Sequence, residues 1–225
     1  MAHRLLICGA GRIGAGFNWN DDGYTHAGAA RALSDRIELV GFVETDKTRA
    51  KAAEDKWNVK VYTSMNEAIQ RHEPDVVSVC TPPVNHSIAV DWLTDQTEVQ
   101  GIWVEKPYSP EQLRMVPPWV QVNYLRRADP RHQAMAAQKF AGILTVTAKD
   151  DIHTRCHFED LAKWWRAELV YQPIKEGPCS YVYRVDDFPY EFKNGGVDPA
   201  ACMKGMLGNL MDTMEGKTIL WSPPA

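Results

Sequence analysis

Three groups of residues in this chain have types and spacings suited to chemistry. The first is Gly9-Ala10-Gly11-Arg12-Ile13-Gly14, which directly follows the apolar run 5–8 and opens a helical pattern. In such a turn Gly9 permits the tight bend, Gly11 lets a pyrophosphate approach the backbone, and Gly14 lets the helix pack closely on the strand. The start of the helix, with Arg12 and Ile13, offers free N–H donors to the phosphates. Glycine turns are common, so the spacing alone carries little. A strand before it and a helix after it are what mark a dinucleotide site.

The second group is Glu44, at the end of the second apolar run. An acidic side chain there can accept both ribose hydroxyls of NAD and would repel the 2′-phosphate of NADP. Glu44 lies thirty residues beyond Gly14, against a usual spacing of about 20. A polar, aromatic insertion over 17–27 accounts for the excess. The plainer reading makes Glu44 the start of a solvated turn with Asp46. Lys47 and Arg49 close by keep NADP open, but the expected cofactor is NAD.

The third group comprises two strand ends: Cys80-Thr81-Pro82-Pro83 with His86, and Val104-Glu105-Lys106-Pro107. In an open α/β sheet, ligands bind at the carboxyl ends of the strands. A lysine there can hydrogen-bond a reacting hydroxyl and stabilise a developing alkoxide. Lysines are also common in solvated loops, which is the competing reading of Lys106.

These residues need a scaffold, and the first half supplies one. Apolar runs at 5–8, 37–43, 59–62, 76–80 and 102–104 alternate with helical patterns at 48–56, 66–72 and 84–93, and 120–124 can add a sixth strand. Runs that are apolar throughout indicate a parallel sheet covered on both faces. In the helix over 84–93, Val84, Ile88 and Trp92 are expected to form the buried stripe. His26, His72 and His132 show no partner pattern and read as surface residues.

After about residue 126 the pattern changes. Helices are expected over 130–140 and 158–168, and a strand over 143–148. Alternating strands over 181–185 and 190–193 would turn at Asp186-Asp187. A last helix is signposted by Asp198 as N-cap, Pro199 at its first position and Gly216 as its stop. Its apolar stripe is Met203, Leu207, Leu210 and Met214. The expected fold is α/β: a Rossmann-type, doubly wound parallel sheet over 1–125, and a small α+β domain with a mainly antiparallel sheet over 126–225.

Gly9–Gly14, Thr81-Pro82 with His86, and above all Glu105-Lys106-Pro107 resemble the Gfo/Idh/MocA oxidoreductase family. The resemblance covers the first 125 or so residues. It implies a Rossmann domain, a sheet-containing substrate domain, and hydride transfer between NAD(P) and a sugar, nucleotide-sugar or polyol. Gly9, Gly11, Arg12, Ile13, Gly14, Glu44, Thr81, Pro82, His86, Glu105 and Lys106 would bind cofactor, and Lys106 would also orient the reacting hydroxyl.

The family's His-x-x-Asp helix looks like His157-Phe158-Glu159-Asp160. On a helix, a separation of three puts His157 and Asp160 on one face. His157 would shuttle the hydroxyl proton, since its pKa lies near neutrality, and Asp160 would hold it. Many members carry an aspartate four residues before that histidine; here His153 stands instead. His153 and Tyr124 are candidate substrate contacts. The second domain is also shorter than is usual for the family.

Two rivals compete with this enzyme. One is a shortened, non-catalytic relative that senses NAD(H), which the truncated domain and His153 favour. The other is a metal site at His153, Cys156 and His157. Its spacing is not H-E-x-x-H, and no fourth ligand is evident, so no metal is expected. The net charge of −4 and the lack of a basic run give no reason to expect nucleic acid or a membrane surface as partner. Five cysteines without a C-x-x-C pair fit a reduced, cytoplasmic protein. An apolar sheet face in a small second domain leads to the expectation of a homodimer or higher homo-oligomer.

Overall fold

The computed structural model describes residues 2–107, 119–123, 128, 142–148, 154–160, 165–172, 180–186 and 199–218, the four segments between 142 and 186 by their backbone. The first half builds the sheet that its apolar runs require. β1 (His3–Cys8), β2 (Ile37–Val43), β3 (Val61–Tyr62), β4 (Val76–Val79), β5 (Gly101–Val104) and β6 (Val120–Val122) pair in parallel in the order β3-β2-β1-β4-β5-β6. Leu5, Leu6, Ile7, Val76, Val77, Val79, Ile102, Trp103 and Val104 are all fully buried. That is the signature of a sheet covered on both faces.

The chain runs outward from β1 through β2 to β3, then crosses to β4 on the other side of β1. This reversal between β1 and β4 opens a crevice at their carboxyl ends, where open α/β sheets bind ligands. The sheet ladder continues one step past the strand ends: Cys80 N–H donates to Cys8 O at 2.7 Å and Glu105 N–H to Val79 O at 2.9 Å. The backbone carrying the candidate motifs is thereby fixed to the core.

The helix after β1 is broken in two. α1 (Arg12–Ala15) stops at Gly16, whose φ of 73° is left-handed. Its last carbonyls find side-chain donors instead: Trp57 Nε1 reaches Ala15 O at 2.9 Å and Lys56 Nζ reaches Gly16 O at 3.2 Å. The insertion then makes a short 3₁₀ turn, Asp22–Tyr24, before α2 (His26–Arg31), which Thr25 caps by accepting from Gly28 N–H at 2.9 Å. Thus the long spacing to Glu44 arises from a broken helix.

α3 (Lys47–Trp57), α4 (Met65–His72) and α5 (His86–Thr94) match the expected helices to within a few residues. The face expected to be buried on α5 is corrected. Val84 and Ile88 are exposed by 76% and 67%, while His86, Ala89, Val90 and Leu93 face the core; of the expected stripe Trp92 alone, partly buried, packs against it. Both sets recur at helical spacing, and the one nearest the sheet wins burial.

The last helix, α6 (Pro199–Met214), stops as expected near Gly216, whose φ is 72°. Its partners are a second correction, since it belongs with the parallel sheet and not with the segment before it. Gln121 Nε2 donates to Met206 O at 2.8 Å, and Arg36 reaches Asp212 at 2.7 Å and Glu215 at 3.0 Å. A Cβ on Gly101 would lie 2.7 Å from Met214 Sδ, so glycine there lets the helix approach β5. Met1–Ala128 and Ala200–Ala225 accordingly form one compact unit, and Asp129–Pro199 a second.

In that second unit β7 (Gly142–Ala148), β8 (Thr154–Asp160), β9 (Trp165–Gln172) and β10 (Ser180–Asp186) form an antiparallel sheet in the order β10-β9-β8-β7. The helix expected over 158–168 is therefore wrong: its ends belong to two paired strands, with Phe158 opposite Ala167. The expected helix over 130–140 and strand over 190–193 lie outside the described residues.

Candidate cofactor and active site

The glycine loop sits at the carboxyl end of β1, and its three glycines do three different things. Gly9 has a left-handed φ of 101°, and a Cβ on it would lie 2.6 Å from Cys80 O. A Cβ on Gly14 would lie 2.0 Å from Gly9 O, so only glycine lets α1 turn back on the loop. A Cβ on Gly11 meets nothing within 4 Å. Gly11 is thus bare in front of open space, as a backbone that must admit a pyrophosphate needs to be. Ile13 is half-buried, while Arg12 is exposed and stacks over Trp19 at 4.9 Å. Because α1 has only four residues, its macrodipole is slight, and anion binding falls to the loop's own N–H groups.

Glu44 stands at the end of β2, only 7% exposed. Its Oε2 accepts from Ala10 N–H at 3.0 Å, tying the end of β2 to the glycine loop. Its Oε1 accepts from the N–H groups of Thr45 and Asp46 at 2.9 Å each. Arg49 closes on both oxygens. Burial pushes the Glu44 carboxyl up, but Arg49 and the backbone donors outweigh it and hold the group below the usual carboxylate range. The ionised form is the one that accepts ribose hydroxyls.

At the end of β4, Thr81 Oγ1 is buried without a hydrogen-bond partner among the described residues. A buried hydroxyl left unpaired suits a site completed by a ligand. Pro82 is exposed. His86 is buried and its Nε2 meets Thr81 O at 2.8 Å, bracing the turn from within. Open space at Gly11, an ionised Glu44 and the unpaired Thr81 hydroxyl all fit a dinucleotide. Burial raises the Cys8 thiol to about 12 and pushes Cys80 up as well, so neither neighbour is a thiolate nucleophile.

At the end of β5, Glu105 and Lys106 diverge. Glu105 turns inward, 6% exposed, while the Lys106 side chain is 54% exposed with its Nζ 3.5 Å from Glu105 Oε2. The inward partner of Glu105 is a correction to the reading of His26 as a surface residue. His26 is fully buried, with Nε2 2.9 Å from Glu105 Oε1, Nδ1 on Ser78 Oγ, and its ring against Trp103 at a centroid distance of 3.7 Å. Asn123 Nδ2 donates to the same Glu105 oxygen. The overlooked signal is the small-residue run Ala27-Gly28-Ala29-Ala30 beside His26, which marks a helix pressed against a sheet.

On the second unit, His157 and Asp160 both fall on β8. Residues three apart on a strand alternate to opposite faces, so the shared helical face expected for them does not exist. The register puts Thr145 of β7 and Glu168 of β9 directly opposite His157. His153 and Tyr124 lie outside the described residues.

The Gfo/Idh/MocA profile, described as an oxidoreductase family with an NAD-binding Rossmann fold, matches residues 3–117. No curated protein matches by sequence. Among solved structures, a myo-inositol dehydrogenase from Corynebacterium glutamicum aligns with a TM-score of 0.61 at 14% identity, over 97% of this chain and 90% of that one. The WlbA dehydrogenase from Bordetella pertussis, solved with NADH and UDP-GlcNAcA, aligns at 0.59 and 14%, over 96% and 89%. The UDP-N-acetylglucosamine 3-dehydrogenase GnnA from Acidithiobacillus ferrooxidans aligns at 0.61 and 12%, over 100% and 92%. At such identities these likenesses speak for the fold. The matched profile, the bare Gly11 and the Glu105-Lys106-Pro107 strand end together show that the chain belongs to the Gfo/Idh/MocA family of oxidoreductases with an NAD-binding Rossmann fold.

Proposed function

We propose that this dehydrogenase moves a hydride to or from a carbinol carbon of a sugar, nucleotide-sugar or polyol. The observation that carries the reading is Lys106: a half-exposed ammonium at the carboxyl end of β5, anchored through a buried carboxylate. NAD, when bound, supplies the hydride acceptor or donor. Lys106 Nζ hydrogen-bonds the reacting oxygen and lowers the cost of negative charge developing on it. His157 takes the hydroxyl proton during oxidation and returns it during reduction. In place of Asp160, the register of β8 and β9 supports Glu168 as the carboxylate beside His157, since directly opposed residues share a face of the sheet.

The compounds after which the aligned dehydrogenases are named or with which they were solved, myo-inositol and UDP-linked sugars, set the panel for the test. Thr81, Pro82 and His86 would frame the cofactor crevice, with Tyr124 and His153 as substrate contacts. Residues 1–125, joined by α6, would serve the cofactor, and the rest of 126–225 the substrate and a two-fold assembly through the antiparallel sheet. No described helix is long and apolar enough to cross a membrane. The purified protein with NAD and a panel of polyols, hexoses and UDP-sugars should reduce NAD with at least one substrate. NADH binding without any turnover across that panel would overturn the reading.

A further inference from the structure

The buried group around Glu105 holds more than packing needs. Ser78, His26, Glu105 and Asn123 come from β4, α2 and the ends of β5 and β6, and His26 and Ser78 have no exposed surface at all. Hydroxyl, imidazole and carboxylate stand in the order used by hydrolases. Full burial denies any substrate access to Ser78, so nucleophilic chemistry is excluded. A carboxylate buried without partners is costly, and an apolar side chain would have filled the space at less risk. What the arrangement retains is a fixed negative charge beside Lys106.

We propose that His26 is a positioning residue for Lys106, acting through Glu105. The proposal rests on the reading that Lys106 serves the reacting oxygen. An ionised Glu105 only accepts hydrogen bonds, so His26 Nε2 carries the proton that points at Oε1. His26 Nδ1 then accepts from the Ser78 hydroxyl, which fixes the tautomer. Trp103 sets the plane of the ring. With Asn123 also on Oε1, the carboxylate cannot rotate, and Oε2 is left facing the Lys106 ammonium at 3.5 Å. Burial pushes His26 down, so it stays neutral. Glu105, which burial pushes up, is brought below the usual carboxylate range by the hydrogen bonds of His26 and Asn123 and by the charge of Lys106. The broken helix at Gly16 starts α2 at His26 and so supplies this clamp.

The test compares His26→Phe, which keeps a ring against Trp103 but loses both hydrogen bonds, with His26→Gln, which keeps a donor and an acceptor. The readout is the acylation rate of Lys106, measured by mass spectrometry against Lys51 as the exposed reference, in protein without substrate. His26→Phe should change the Lys106 rate by about threefold or more, the size of one lost hydrogen bond, and His26→Gln should restore it. Ser78→Ala, which frees the tautomer alone, should shift the rate in the same direction and keeps the test alive if His26→Phe does not fold. Wild-type labelling in His26→Phe, or in Ser78→Ala where the former is unfolded, would overturn the proposal. So would His26→Gln behaving like His26→Phe. Labelling needs no substrate, so this failure is separate from a failure of Lys106→Ala to lower turnover.

Discussion

Arg49 grips Glu44 at two points, Nε on Oε2 and Nη2 on Oε1, each at 3.0 Å. The side chain that favours NAD is therefore held by one that suits NADP. Glu44 repels a 2′-phosphate, and Arg49, 40% exposed, offers it a fork. NADH should bind more tightly than NADPH. Glu44→Ala should narrow the gap by about tenfold, the scale of a charge-assisted hydrogen bond, and Arg49→Ala should widen it. Isothermal titration showing NADPH preferred by the wild type would contradict this account.

Gly11 and Gly14 should separate binding from folding. Gly14→Ala forces a Cβ to within 2.0 Å of Gly9 O and should destabilise the protein by about 3 kcal/mol or more. Gly11→Ala meets no atom of the protein and should melt like the wild type while losing most of its NADH affinity. Thermal unfolding and NADH fluorescence titration read the two effects independently. An unfolded Gly11→Ala would show that the open space is not a ligand's.

Acid should weaken the fold in two stages. His26 stays neutral when folded, but the unfolded chain takes up its proton near 6.5, so stability falls as the pH drops below that value. Glu105 contributes fully above its unfolded value of 4.5, and that contribution is lost as the pH falls from there towards about 2. Urea midpoints measured from pH 7 down to about 5 should decline in the wild type, with a shallower slope in His26→Gln. Equal slopes would mean that His26 is charged in the folded protein.

Turnover should depend on Lys106 and on His157. Lys106→Ala and His157→Ala should each lower kcat strongly, the histidine by about 10²–10⁴-fold, with combined losses less than additive. Glu168→Gln should shift the acidic limb of the pH–rate profile, and Asp160→Asn should leave it in place, because of these two carboxylates it is Glu168 that stands opposite His157 in the strand register. A profile moved by Asp160→Asn alone would restore the pairing first expected.

The parallel sheet was legible because burial on both faces leaves an unbroken apolar run, as in Leu5–Cys8 or Gly101–Val104. Glycine chemistry is equally local, so Gly9, Gly11 and Gly14 could be assigned from spacing and context. What failed depended on pairing and packing that spacing alone does not show. The run 158–168 was expected to be a helix, yet the pairing of Thr154–Asp160 with Trp165–Gln172 takes its two ends into strands. On α5 the period was right and the face wrong, because spacing does not say on which side the sheet lies. His26 could not be seen as a clamp from its neighbours, since Ser78, Glu105 and Asn123 are remote in sequence and meet it only through the sheet order.

The return of α6 to the parallel sheet has a consequence for how the protein is made. Met203, Met206, Leu207 and Leu210, all fully buried, cover the side of the sheet to which Gly101, Gln121 and Asn123 belong. During vectorial synthesis β5 and β6 leave the ribosome long before this cover does, and the whole of 129–199 is translated in between. The nascent sheet thus waits with an apolar flank open and Gln121 unpaired. A premature stop just before Pro199 would remove this cover and strand the cofactor-binding half in that unfinished condition.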